Sequence, residues 1–368
     1  MTVVALILYS VFAAVLIAAH GVNSLPNVGR STVARSSASR TIDTHLHPRQ
    51  RGYDGQFFLI IALDPVKARS YLDTPDYRYS HILYPMLARA VALGKPGWVP
   101  AALILVNLAA VALGTFCVAK LLVRNGLPVG LAAAYFLFPG LLSAFAEDLS
   151  DPLAYGLAAL GLLLLAGWRS PNRIYGAAAI FALAALARET TLLIAVAVAV
   201  VHALATRPQA RRAVEFVTIA LAPYVAWRLF LRSWLGSATG HPGLSVGLAP
   251  FSGLASAHAL DVWPLLGVAV PASALGVLCL LRLRTEWRNE TFVALLASLV
   301  LLALYLPEQS YHAYESAGRL QIGAALLAIV TARALKTDRS NPLLTAAVLF
   351  AYLPLVPLVL TLVHTGYT

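Results

Sequence analysis

Long apolar runs recur along most of the chain, and they limit what it can fold into more than any other feature. The first run, residues 2–19, contains no Asp, Glu, Lys or Arg. Hydrophobic residues make up 60% of the 368 residues and charged residues only 12%, which is not the balance of a soluble domain. Because a helix of about 20 apolar residues crosses a bilayer, the pattern predicts an all-α polytopic membrane protein.

About eleven transmembrane helices are expected from these runs, several of them shorter than a full crossing. The predicted spans are 2–19, 98–122, 127–145, 152–167, 174–187, 190–206, 213–231, 262–281, 291–306, 320–333 and 342–363. No basic segment precedes the first run, so we interpret it as a retained helix and not as a signal peptide.

Charge in the loops predicts the orientation. Five short loops on one side are basic, with Lys120 and Arg124; Arg169 and Arg173; Arg207, Arg211 and Arg212; Arg282, Arg284 and Arg288; and Arg333, Lys336 and Arg339. Acidic residues collect on the other side: Glu147, Asp148, Asp151, Glu189, Asp261, Glu308 and Glu315. By the positive-inside rule, the N-terminus is cytoplasmic in the plasma (inner) membrane.

The net charge of +11 does not predict nucleic-acid binding, because the basic residues lie mostly in loops beside apolar spans. Cys117 and Cys279 both lie inside apolar runs, so neither a disulfide framework nor a zinc site is indicated. We treat residues 1–368 as a single membrane-embedded domain.

One polar segment, residues 51–85, stands out in the outer loop 21–97. It contains five tyrosines and five acidic or arginine candidates for chemistry: Asp54, Asp64, Asp73, Asp76 and Arg78. Two short apolar stretches, 55–63 and 81–94, predict helices lying along the membrane interface. Asp54 precedes the first of them, where it is either an N-cap or, partly desolvated, a general base.

The sequence YDGQFFLIIA at 53–62 resembles the first-loop motif WDG-x-x-Y-L-x-I-A of GPI mannosyltransferases in the GT-C superfamily, with Tyr53 replacing Trp. The later YRYSHILYP stands roughly where that family has an aromatic-proline segment. The resemblance implies a GT-C-like bundle and a polyprenyl-phosphate sugar as donor. It also implies that Asp54 is the base that deprotonates the acceptor. Residues 1–206 would be the catalytic-type module, and residues 207–368 would shape the donor lipid site.

The acidic sequence EDLSDP at 147–152 lies at the start of a predicted span, on the outer side. Asp151 before Pro152 suits a helix cap. Glu147 and Asp148 lie further from the cap. In some GT-C enzymes an acidic pair here binds a divalent metal or orients the acceptor. We expect the orienting role and no metal cofactor.

Two further segments predict anion binding. Arg188 and Glu189 interrupt two apolar runs, either as an internal ion pair or with Arg188 reaching a donor phosphate and Glu189 orienting it. His312 and Arg319 lie seven residues apart in a late outer loop, where they suit a leaving lipid phosphate; the alternative is a membrane-interface anchor.

Arg78 is flanked by Tyr77 and Tyr79, which predicts either binding of sugar hydroxyls or of a second anionic group, or an interfacial aromatic belt. Together these residues and the resemblance predict an inverting glycosyltransferase acting on the non-cytoplasmic face, with mannose as the first guess. Its partners would be the polyprenyl-phosphate sugar, membrane lipid and an envelope lipid, glycan or protein acceptor. The alternatives are a transporter or lipid flippase, and a catalytically inert scaffold.

Overall fold

A computed structural model describes residues 1–22, 25–26, 28–29, 52–165, 168, 170–236, 251–253, 262–305, 314–335 and 342–364. Within these ranges every extended regular element is a helix, in agreement with the predicted class. The main helices are α1 (Thr2–His20), α2 (Gly55–Leu63), α3 (Leu83–Val91), α4 (Val99–Arg124), α5 (Ala132–Phe136), α6 (Pro139–Ala146), α7 (Asp151–Leu165), α8 (Pro171–Ala187), α9 (Leu192–Ala203), α10 (Arg207–Leu235), α11 (Val270–Glu286), α12 (Glu290–Tyr305), α13 (Tyr314–Leu320), α14 (Ile322–Val330), α15 (Pro342–Tyr352) and α16 (Leu355–His364).

Five helical segments in the described ranges are long and apolar enough to cross a membrane, or six when one bent pair is counted as a span. They are Thr2–Ala19, Pro96–Arg124, Arg207–Leu235, Val262–Glu286 and Pro342–Thr361, with α5 and α6 as the bent pair. These apolar helices give the chain the character of a multi-pass membrane protein.

The expected number of eleven spans is not confirmed. The predicted spans that fall short form helices of 9 to 17 residues, α7, α8, α9, α12 and α14. The span expected at 127–145 is divided, because Phe138 is extended ahead of Pro139 and the two halves meet at 48°. The predicted number of spans is therefore higher than the number of described helices long enough to cross, because several apolar stretches form helices shorter than a full crossing.

The helix α2 is not the interfacial helix that the sequence predicts. Eight of its nine residues, Gly55–Ala62, are buried, so it lies inside the protein. By contrast, α3 has one buried face, formed by Tyr84, Pro85 and Ala88. The first loop thus enters the bundle through α2 and brings Asp54 in with it.

Two glycines fix the backbone around the polar end of the bundle. A Cβ atom on Gly140 of α6 would overlap the carbonyl oxygen of Gly318 in α13, so these helices cross at closest approach there. A Cβ on Gly55 would overlap the carbonyl oxygen of Glu147. In lipid, where apolar burial gives little drive for helix association, such close packing at small residues holds helices together. It sets α2, α6 and α13 side by side.

Candidate functional site

Asp54 lies at the centre of a charged cluster formed by residues far apart in the sequence. Its carboxylate accepts a bond of 2.8 Å from Arg78 Nη1 and lies 2.7 Å from Arg319 Nη2. The side chain of Asp54 is 22% exposed, and those of Arg78 and Arg319 are 15% and 13% exposed. The first outer loop and the late outer loop of the sequence analysis therefore meet in a direct contact between Asp54 and Arg319.

Asp54 occupies the N-cap position of α2, but its side chain makes no capping hydrogen bond. The helix begins with a backbone bond from Phe57 N–H to the Asp54 carbonyl, and the carboxylate is turned to the two guanidinium groups instead. The capping interpretation of this residue explains its position and not the contacts of its side chain.

Arg78 is held rigidly by a second carboxylate and an aromatic face. Its Nε and Nη2 donate to the two oxygens of Asp73, each at 2.8 Å, in the two-pronged geometry that suits arginine. Its guanidinium carbon lies 3.9 Å from the centre of the Phe57 ring. From α10, Arg228 clamps the same turn through Asp76 at 2.7 Å. Arg78 is thus fixed before any ligand arrives.

Arg319 approaches Asp54 from α13. Its guanidinium lies 5.5 Å from the centre of the Tyr53 ring, and the Tyr53 hydroxyl lies 3.3 Å from Ser316 Oγ, one turn before Arg319. Because Tyr53 directly precedes Asp54, the same two-residue segment contacts both the side chain and the helix of Arg319. The sequence gives no direct signal for Ser316.

Burial alone would raise the pKa of Asp54, but the positive charges of Arg319 and Arg78 outweigh it and hold the pKa of the carboxyl well below its usual range. Asp54, Asp73, Arg78 and Arg319 together balance two negative against two positive charges. The Asp54 carboxylate is therefore ionised and already paired with both guanidinium groups. It becomes a useful base only if something else engages the guanidinium groups.

Arg188 and Glu189 do not pair with each other, which corrects one of the two sequence interpretations. Arg188 Nε lies 3.2 Å from Asp151, with both side chains buried, and Glu189 Oε2 lies 2.7 Å from His81 Nε2. The reason is backbone geometry: Arg188 is extended between α8 and the next turn, so the neighbouring side chains diverge. Asp151, and not Glu189, therefore orients Arg188.

These pairs join the Asp54 cluster at the same end of the bundle. Burial raises the pKa of Tyr77, and the charges of Arg188, Glu189, Arg319 and Asp54 also act on it, so Tyr77 lies near both charged groups. Its ring also meets His81 edge-on, with centroids 5.1 Å apart. The first loop, the 147–151 segment, the 188–189 segment and Arg319 thus come together, as the loop topology predicts.

Glu147 and Asp148 are buried, each about 1% exposed, and do not face open solvent. Asp148 has a positive φ of 50°, a strained backbone for a non-glycine residue. Neither of its carboxylate oxygens has a hydrogen-bond partner among the described residues. Burial, and then the nearby charge of Glu147, raise the pKa of Asp148 well above its usual range.

The remaining predicted residues divide as follows. Tyr79 is buried, and its hydroxyl donates to the Pro65 carbonyl at 2.6 Å, so its described contacts are those of a packing residue. His312 lies outside the described residues. The structure adds His81, which pairs with Glu189 and was not among the predicted site residues. The available signal in the sequence was that His81 lies three residues after Arg78, close to one helical turn.

A cavity of about 490 Å³ with mostly apolar walls lies between α14 and α15, and Phe138 and Leu275 also line it. Gln321, two residues beyond Arg319, is one of its few polar lining residues, and its Oε1 atom is buried without a partner among the residues described. In those same residues, no group of three or more His, Cys, Asp or Glu side chains is arranged to hold a metal ion.

Comparison with protein-family models, with curated proteins and with solved structures finds no match to this chain. The fold and site define a class only: an all-helical protein with several membrane-capable helices and a buried arginine–carboxylate cluster at one end.

Proposed function

We propose that the chain is an inverting, GT-C-type glycosyltransferase that moves a sugar from a polyprenyl-phosphate donor to an envelope lipid, glycan or protein acceptor. The observation that carries the proposal is the Asp54 carboxylate held between the guanidinium groups of Arg78 and Arg319. One group can accept a proton, and the other two can bind a phosphate.

The resting contacts suggest how the site is activated. A lipid phosphate is an acceptor of the same kind as a carboxylate, and it competes with Asp54 for the guanidinium N–H groups. Arg78 keeps its bonds to Asp73 and stays in position, whereas Arg319 has no second carboxylate partner among the described residues and is the one that turns toward the phosphate. As Arg319 leaves Asp54, the pKa of the carboxyl rises and the group becomes a better base.

The transfer is a single displacement. The acceptor hydroxyl oxygen attacks the anomeric carbon, and its proton passes to Asp54. The bond from the anomeric carbon to the phosphate oxygen breaks, and its electron pair stays on the lipid phosphate. Arg319, with Arg188 and Arg78, stabilises the negative charge that develops there. No metal is required for this balance.

The isoprenoid tail of the donor would lie in the apolar cavity lined by Phe138, Leu275 and Gln321. A lipid-linked donor of this kind requires an apolar site for its tail, which a bundle of apolar helices supplies. Mannose is our first choice of sugar, and the non-cytoplasmic face of the plasma membrane is the proposed place of reaction.

The test is transfer by the purified full-length chain. Radiolabelled polyprenyl-phosphate mannose, glucose and arabinose are supplied with membrane extract as the source of acceptor, with and without a chelator. We expect transfer from one donor, and a rate at least about 10²-fold lower in Asp54→Asn.

Asp64→Asn is the matched control. Asp64 lies in the same loop, but its carboxylate is 43% exposed and its described contacts are local: backbone bonds from Val66 and Lys67 and an ion pair of 3.8 Å with the Lys67 side chain. It should keep wild-type activity. Transfer from none of the donors, or equal rates for wild type and Asp54→Asn, would refute the proposal.

A further inference from the structure

A second cavity, of about 570 Å³, lies at the opposite end of the bundle from Asp54. One of its lining residues, Leu162, lies in α7, the helix that begins at Asp151 beside Arg188. Leu162 is eleven residues beyond Asp151, which places it about 16 Å further along the helix axis. Its volume falls in the range of small-molecule sites, roughly 300–1,000 Å³. It plays no part in the proposed transfer.

One wall of this cavity is basic. Arg124 ends α4, and Arg333 lies just beyond α14. Asn125 joins the two segments, because its side chain donates to the Val330 carbonyl at 3.0 Å and its own carbonyl accepts from Arg333 at 3.3 Å. Each arginine donates one described hydrogen bond, to a backbone carbonyl, out of the five N–H donors of a guanidinium.

The other wall is acidic and belongs to a different element, the turn between α11 and α12. Glu286 and Glu290 both line the cavity there, on either side of Asn289. Asn289 Nδ2 lies 3.4 Å from Glu286 Oε2, and Glu290 pairs with His202. His202 is held in turn by the stacked ring of Trp168, with centroids 3.8 Å apart. Each carboxylate thus has a partner of its own, and neither forms an ion pair with Arg124 or Arg333 among the described residues.

Between these walls the cavity is amphiphilic. The buried side chains of Leu121, Leu162 and Val330 supply an apolar floor. Thr331 also lines the cavity, is 2% exposed, and has a hydroxyl oxygen without a hydrogen-bond partner in the part of the chain that the structure describes. A buried polar atom left without a partner costs free energy, so a bound group that supplies one is favoured.

We infer that this cavity binds the head group of a zwitterionic phospholipid that carries a primary ammonium. Arg124 and Arg333 would hold the phosphate, and Glu286 and Glu290 would accept from the ammonium. A purely anionic head group would be repelled by the carboxylates of Glu286 and Glu290. A quaternary ammonium has no N–H to donate to the carboxylates. Basic pockets between helices are known to hold the phosphates of lipid head groups, and the acidic wall of this cavity adds the partner for an ammonium.

The test measures lipid binding to the purified full-length chain by native mass spectrometry. The probes are phosphatidylethanolamine, phosphatidylcholine and phosphatidylglycerol with identical acyl chains, and soluble glycerophosphoethanolamine. We expect phosphatidylethanolamine to bind most tightly, and its affinity to fall about tenfold in Arg124→Gln and in Arg333→Gln, which each lose a charge-assisted contact. Both arginines are exposed, so these variants should fold.

Glu286→Gln should weaken phosphatidylethanolamine binding while leaving phosphatidylglycerol binding unchanged or stronger. Arg284→Gln, an exposed arginine at the same end of α11 that does not line the cavity, is the matched control and should bind as wild type does. Equal binding of the three lipids, an equal loss in Arg284→Gln, or binding of the soluble head group as tight as that of the lipid would overturn the inference.

Discussion

The ion pair between Asp54 and Arg319 should couple the two ends of the chain energetically, and a double-mutant cycle measures this. The variants are Asp54→Asn, Arg319→Gln and the double variant. Each single substitution leaves a charge in a poorly solvated site, because the partner side chains are only 13% and 22% exposed. Breaking a buried pair from one side costs about 3–5 kcal/mol. We expect Arg319→Gln near the lower end, since Arg78 still contacts Asp54, and Asp54→Asn nearer the upper end, since both arginines lose that carboxylate.

The coupling energy is smaller than either loss. Two unit charges about 4 Å apart attract by about 4 kcal/mol at an effective dielectric constant of about 20. Arg78 already neutralises part of the Asp54 charge, and some of the attraction offsets the cost of removing both groups from water. We therefore expect a coupling of about 2 kcal/mol, so that the double variant is more stable than additivity predicts.

The assay is unfolding by SDS in mixed micelles, followed by circular dichroism, with the free energy of unfolding compared across the four proteins. Arg211→Gln and Glu215→Gln form the control cycle, since that pair lies on an exposed helix surface with Arg211 85% exposed, and its coupling should be much smaller. A coupling of less than about 0.5 kcal/mol for Asp54 and Arg319, the usual limit of additivity for independent sites, would refute the contact.

Three further outcomes follow from the same geometry. Gly55→Ala should destabilise the protein by about 1–3 kcal/mol in the same SDS assay, because its Cβ would overlap a backbone carbonyl, whereas the helical Gly176→Ala, which has open space, should be neutral or stabilising. The pKa of Asp54 is lowered on folding, so the contribution of Asp54 to stability is complete above about pH 5 and is lost as the pH falls below about 4. The difference in melting temperature between wild type and Asp54→Asn should therefore shrink only below about pH 4. A difference that shrinks between about pH 5 and 8 would contradict the lowered pKa. Arg188→Gln should cost about 3–5 kcal/mol by leaving Asp151 buried without its partner, and restored stability in the double variant with Asp151→Asn checks that the loss arises from the unpaired charge.

The sequence predicts which charged segments come together better than it predicts the spans. Asp54 and Arg319 could be placed on one side because loop charges alternate along the chain, and that argument needs no knowledge of helix packing. Helix ends are set by local backbone geometry instead. The break ahead of Pro139 falls inside apolar sequence, where hydropathy carries no signal.

The partner of each charge was harder to predict than its location. Arg188 and Glu189 are neighbours in sequence, yet they pair with Asp151 and His81 because the extended backbone at Arg188 sends their side chains apart. Similarly, an apolar stretch before the membrane suggested an interfacial helix at 55–63, but the close approach at Gly55 draws that helix into the bundle. Such contacts depend on tertiary packing, which a single sequence does not specify.

The central claim is that the arginines around Asp54 bind a lipid phosphate, and equilibrium binding of polyprenyl phosphate tests it most directly. The purified protein is titrated with polyprenyl phosphate and with the uncharged polyprenol of the same length. We expect the phosphate to bind at least tenfold more tightly, and Arg319→Gln to remove most of that difference. Equal binding of the two lipids by the wild-type protein, or an unchanged preference in Arg319→Gln, would contradict the account.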